Sequence, residues 1–353
     1  MSVAEPVRGL ARHERGPAVT IICPLDRRRP GNGEDRARLE RLVTRAGHRL
    51  AEIGTPDAER ASIRLAAAVA HLDFGHPEAA VAIFAAPDVD RTITLDGYVP
   101  AAVTVGPRFA VAALLAARES AVSARVLVCS RARTRCVEIT EGRARERTDA
   151  AFPVTVDPPT EADAPHRDFP LDEHEAAEAA RFVFRAVRRA LESVEADDPR
   201  PLVLVGAERD LAFLREVGNG RVAPTATVTG NHLHDSPEAI ATLVAPALAA
   251  AHDRAEAAAV AALRNALGGR ALAGADAVLA AARVGRVHRV FVERDLRAGP
   301  IAAEVPGPTI DASTVLDRTD EILAEVIRHD GEVTVVGTGA LAELGGIACT
   351  TRF

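Results

Sequence analysis

The 353-residue chain contains no lysine, no glutamine and no tryptophan, so all 43 of its basic side chains are arginine. Without lysine there is no Schiff-base chemistry and no phosphate-loop lysine, which excludes the Walker-type nucleotide hydrolases. Cysteine is scarce: Cys23, Cys129, Cys136 and Cys349 lie far apart with no Cys-x-x-Cys spacing. A zinc ribbon or disulfide framework is not expected, and a reducing cytoplasm is the expected compartment. No apolar run approaches the roughly 18 to 20 residues of a membrane span. The opening MSVAEPVRGLARHERG has no apolar signal core, so no membrane partner and no export are expected. The chain is 48% hydrophobic and 26% charged, enough to bury real cores.

The net charge of −7 is unevenly spread. Residues 1–50 carry 11 arginines against six acids, whereas residues 123–265 stand at −5 and 266–353 at −3. The excess gathers in Arg27, Arg28 and Arg29, beside Pro30-Gly31, and in the helix-spaced run Arg36, Arg38, Arg41, Arg45 and Arg49. Guanidinium forks match phosphate oxygens. The same spacing also suits a solvated helix face paired with Glu34, Asp35 and Glu40.

Hydrophobic periodicity divides the chain into three α/β stretches. In residues 1–122, Val19 to Cys23 reads as a strand stopped by Pro24. A helix carrying Leu39, Leu42, Val43, Ala46 and Leu50 follows, and a second starts at Thr55-Pro56, cap then proline. Strands are expected over 79–85 and 91–95, and a helix over 108–121. Residues 123–265 open with a hairpin, 125–130 with 134–140. An irregular stretch over 152–170, with five prolines and four acids, comes next. Then follow a helix (171–196), a strand (201–206), a helix (210–217), a strand (222–229) and an alanine-rich helix from Ser236-Pro237 to about Asn265. Residues 266–353 read as a small α/β/α sandwich, with helices over 273–284 and 313–329 and strands over 287–292, 332–336 and 346–353.

Few clusters carry chemistry. His232, His234 and Asp235 have zinc-compatible side chains, yet no His-Glu-x-x-His pattern accompanies them, and Asn231 to Ser236 equally suits a turn feeding a helix cap. His71, Asp73 and His76 stand at a helix end, where capping accounts for an imidazole. Cys23 reads as a core residue. Gly218-Asn219-Gly220, Gly268-Gly269 and Gly337-Thr338-Gly339 lack the spacing of a dinucleotide fingerprint and read as turns. There is no Gly-x-Ser-x-Gly elbow. No catalytic site and no cofactor emerge from these residues.

The order of parts resembles the archaeo-eukaryotic peptide-chain release factors and Pelota. More closely it is similar to their bacterial homologues, the group that includes Balon-type ribosome-hibernation factors. The resemblance is carried by Gly268 to Gly274, Ala282 to Val292, Gly331 to Val336 and the closing Gly346 to Phe353. Ile22-Cys23-Pro24-Leu25-Asp26 with Arg36-x-Arg38-Leu39, and Thr229-Gly230-Asn231 before Ser236-Pro237, add to it. Release factors act through a Gly-Gly-Gln tripeptide on the middle-domain loop. The matching stretch here has no glycine and the chain no glutamine, so the resemblance implies a factor without release activity. It implies occupancy at or near the ribosomal A site in hibernation, stress or stalled-ribosome handling. Contacts with rRNA would run through Arg27, Arg28 and Arg29, then Arg36 and Arg38. His166, Arg167 and Asp168 would point to the large subunit, and elongation factor Tu would be a partner. A metal-dependent hydrolase using His232, His234 and Asp235, and a scaffold binding through helix 238–265, are the alternatives.

Overall fold

In the first strand, β1 (Ala18–Pro24), Val19, Ile21 and Cys23 face one side while Ala18 and Ile22 face the other, and all are buried. A strand covered on both faces needs cover from two directions, and that requirement shapes this half of the molecule. The computed structural model describes residues 5–26, 29, 31–74, 79–95, 99–120, 123–140, 143–155, 173–296 and 317–353. The chain forms two compact units, residues 1–120 together with 257–353, and residues 121–256.

In the first unit, β1 is followed by α1's successors in sequence, α2 (Gly33–Ile53) and α3 (Pro56–Ala70), with α1 (Glu5–Ala11) preceding it. With β2 (Ala80–Ala86), β3 (Val89–Leu95) and β4 (Ala102–Gly106), β1 makes an antiparallel sheet in the order β3-β2-β1-β4. Leu39, Leu42, Ala46 and Leu50 of α2, with Ala58, Ala61 and Leu65 of α3, cover the face bearing Val81 and Ile83. Thr55 caps α3 as its sequence predicts, accepting from the Ala58 amide at 3.2 Å.

The helix expected from residue 108 starts later, as α4 (Ala112–Ser120). The Ala110 amide is taken by Thr20 Oγ1 and the Ala112 amide by Asp320 Oδ1 at 2.7 Å, so a distant carboxylate sets the start. The strand β4 was not expected from sequence, although Val103 and Val105 alternate with half-buried neighbours.

Residues 257–353 supply a second sheet, built from β10 (Ala271–Ala273), β11 (Val287–Glu293), β12 (Glu332–Val336) and β13 (Ile347–Thr351), in the order β10-β13-β11-β12. Only β11 and β12 run parallel. α8 (Ala275–Arg283) and α9 (Arg318–Arg328) cover one face; the end of α7 (Pro237–Asn265) covers the other through Val260 and Leu263. This is the expected α/β/α arrangement. The helix predicted from 273 begins at 275 because Ala271 to Ala273 pair with β13. The last helix begins at Arg318, capped by Asp317 accepting from Thr319 N at 2.8 Å.

The second unit holds a five-stranded mixed sheet, β7-β6-β5-β8-β9. Its strands are β5 (Ala124–Cys129), β6 (Arg135–Thr140), β7 (Arg143–Glu146), β8 (Leu202–Gly206) and β9 (Ala226–Thr229). The predicted β5–β6 hairpin is present, and β8 runs parallel to β5. α5 (Glu173–Asp197) and α6 (Glu208–Gly218) cover one face around Phe184, Val187 and Leu211; α7 covers the other through Ile240 and Val244. Gly206 lies opposite Cys129, and a Cβ there would stand 2.7 Å from the Cys129 carbonyl oxygen. Gly206→Ala therefore forces β8 away from β5, and the urea midpoint should fall by the equivalent of roughly 1–3 kcal/mol.

All four cysteines are buried thiols without disulfides. Burial raises the Cys23 and Cys349 thiols to about 11 and Cys136 to about 12, and pushes Cys129 higher still.

Candidate nucleic-acid interface

The turn between β1 and α2 is organised by one buried carboxylate. Asp35 Oδ2 accepts from the Asp26 amide at 2.8 Å and from Asn32 Nδ2 at 3.0 Å, while Asn32 Oδ1 caps α2 by accepting from Asp35 N at 2.8 Å. Asp35 Oδ1 receives Arg38 Nη1 at 2.7 Å, and the same guanidinium nitrogen donates to the Pro24 carbonyl at 2.7 Å. Arg38 thus ties the strand end to the helix.

The other arginines of this region divide by their position on the helix. Arg29 is exposed, its backbone fixed by Asn32 donating to its carbonyl. Arg36 is exposed with its guanidinium carbon 5.4 Å from the Phe74 ring centroid, a cation–π contact. Arg41 and Arg45 are exposed further along α2. Arg49, on the flank of the apolar face, is buried and bonds Glu52. Arg36, Arg41 and Arg45 on α2, with Arg29 in the turn before it, are exposed guanidinium forks of the kind that can bond phosphate oxygens. Arg27 and Arg28 lie outside the described residues, as do His166, Arg167 and Asp168.

The second cluster resolves into a clamped turn. His232 Nδ1 donates to Asp235 Oδ2 at 2.8 Å. Its ring packs over Gly230, where a Cβ would lie 2.5 Å from Nε2 and where φ is +151°, so only glycine fits. Beneath the turn Arg135, 7% exposed, donates to the carbonyls of Leu233 (2.7 Å) and Asp235 (2.9 Å) and to Glu146 Oε2 (2.7 Å). That last hydrogen bond, first among the causes, holds the Glu146 carboxyl below its ordinary value. Ser236 Oγ accepts from the Ala239 amide at 3.2 Å and caps α7.

A cavity of about 340 Å³ lies between Arg133, Glu146, His234 and Ser236. His234 is exposed and does not join His232 and Asp235 around a common point. Among the described residues no group of three or more His, Cys, Asp or Glu side chains is placed to hold a metal ion. Of the three residues His232, His234 and Asp235, the hydrogen-bonded pair His232 and Asp235 holds the turn. At the other histidine cluster, His71 Nδ1 donates to the Ala67 carbonyl at 2.7 Å and closes α3, as the capping account predicts; His76 lies outside the described residues.

Arg135 escaped the sequence reading. Its signal was parity, since it alternates in step with the buried Val137 and Ile139 of the same strand.

Residues 125–286 match the model of bacterial archaeo-eukaryotic release factor family 3. That stretch, a little under half of the chain, is similar to the bacterial release-factor family. The match opens at β5 and closes just before β11, so it takes in the five-stranded sheet, α5 to α8 and the clamped turn. No curated protein matches the chain. Solved structures similar to it include Saccharomyces cerevisiae Dom34, described as a translation termination-like factor involved in RNA quality control pathways and interacting with Hbs1. It is 14% identical, over 75% of this chain and 74% of that one, with a TM-score of 0.43. Archaeal Pelota, from a model of ribosome-bound Pelota and ABCE1, is 17% identical over 75% and 72%, with a TM-score of 0.42. The archaeal translation termination factor aRF1 is 14% identical over 99% and 96%, with a TM-score of 0.26. No helix among the described residues is long and apolar enough to cross a membrane.

Proposed function

We propose that the chain is a non-catalytic, cytoplasmic, ribosome-associated factor that occupies the A site or its surroundings in hibernation, stress or stalled-ribosome handling. The observation that carries this reading is the release-factor family match over residues 125–286 in a chain that contains no glutamine. A Gly-Gly-Gln tripeptide cannot be written in such a chain, so occupancy is what is left of the family's work. Three functional domains, 1–122, 123–265 and 266–353, would divide it. The exposed Arg29, Arg36, Arg41 and Arg45 supply the rRNA-facing charge of the first, with Arg27 and Arg28 beside them in sequence. The middle loop with His166, Arg167 and Asp168 would approach the large subunit, and elongation factor Tu is the proposed protein partner.

Co-sedimentation with vacant 70S ribosomes, at low and high salt and with and without elongation factor Tu, tests the reading. Saturable pelleting that weakens as salt rises is the expected result. A chain that stays in the supernatant under every condition would overturn it.

A further inference from the structure

The second face of the first sheet, bearing Ala80, Ala82, Phe84 and Ala86, shares one apolar core with residues more than 190 positions away in sequence. Val7 and Leu10 of α1 and Phe109 and Leu114 near α4 pack there, and so do Ile322, Leu323 and Val326 of α9. Phe84 meets Phe109 edge to face at 5.5 Å. The apolar face that α2 and α3 leave open is closed in part by a helix from the far end of the chain.

Polar ties cross the same junction. Asp320, 4% exposed, accepts from the Ala112 amide at 2.7 Å and so caps α4 from another element. Glu325, also 4% exposed, receives Arg108 Nη1 at 2.7 Å and Arg328 Nη2 at 2.6 Å. Outside them, Arg12 pairs with Asp330 at 2.8 Å and Arg328 with Glu14 at 2.5 Å. Burial pushes the Glu325 carboxyl up, but the hydrogen bonds from Arg108 and Arg328 outweigh it and hold the group below its ordinary value. Two buried carboxylates from one helix, each bonded to residues 108–112, make a contact that is costly to break from either side.

We propose that α9 is a clasp: residues 1–120 reach their stable fold only with residues 317–330 docked, and the two stretches open together as one cooperative body. The arginine-bearing α2 lies on the opposite face of the same sheet, so its rigidity depends on that docking. The inference rests on this junction alone and stands whether or not the chain binds ribosomes.

Native-state hydrogen exchange on the full chain tests it. With rising urea, amides of β1 and β2 and amides of α9 should converge on one opening isotherm. In Arg108→Ala, Glu325 keeps only one guanidinium, and exchange should rise by roughly 10²- to 10³-fold in β1, β2 and α9 alike, the scale of a broken buried ion pair. Acceleration confined to α9, no acceleration anywhere, or a wild-type α9 that opens on a separate isotherm would each overturn the proposal. The urea series uses the unaltered protein, so a poorly folding variant leaves the test intact.

Discussion

Replacing Arg29, Arg36, Arg41 and Arg45 together by glutamate should weaken ribosome pelleting by at least about 100-fold near physiological salt and flatten its salt dependence. Each phosphate contact contributes about 0.7–0.9 to the slope of log affinity against log salt, so losing four should lower the slope by roughly 3. All four side chains are exposed, and the variant should fold as the parent does. A titration across salt that returns the parental slope would remove these residues from the interface. Arg38→Ala is the informative contrast. It breaks the tie from Pro24 to the buried Asp35, and charged hydrogen bonds of this kind are worth about 1.5–3 kcal/mol each. It should lower the melting temperature and leave the salt slope nearly unchanged.

Phe184→Ala should destabilise the second unit by roughly 3–5 kcal/mol, a large part of the usual 5–15 kcal/mol of a domain. The ring is fully buried among Cys129, Val187, Leu204 and Leu211. Two residues earlier on the same helix Phe182 is 49% exposed. Its alanine variant should fall within about 0.5 kcal/mol of the parent. Calorimetry of the pair checks both at once, and equal shifts would contradict the packing of α5.

These residues also show how much could be read in advance. Strand β1 and its stop at Pro24, the Thr55-Pro56 and Ser236-Pro237 helix starts and the β5–β6 hairpin all rest on short-range rules, and the structure has each of them. The start of α4 was not readable, because its cap comes from Asp320, 208 residues on. Nor was β10, which is three residues long and exists only through pairing with β13. The arginine run was seen as a stripe but not sorted. Arg38 and Arg49 lie one turn from Leu42 and Ala46, on the flank of the apolar face, so packing draws them in while Arg41 and Arg45 stay out. At His232 the chemistry of the residue types suggested a metal, and the deciding partner, Arg135, was about 100 positions upstream.

The burial of every cysteine has a practical consequence. Thiolate is the reactive form, and a thiol raised to about 11 or beyond inside a core offers almost none of it at neutral pH. A maleimide added to the native protein should find no acceptor, so one cysteine introduced on the surface becomes a unique attachment point without removing any native residue. A dye placed beside Arg45 and another beside Asp330 would then report, molecule by molecule, the distance between the arginine-bearing helix and the end of α9.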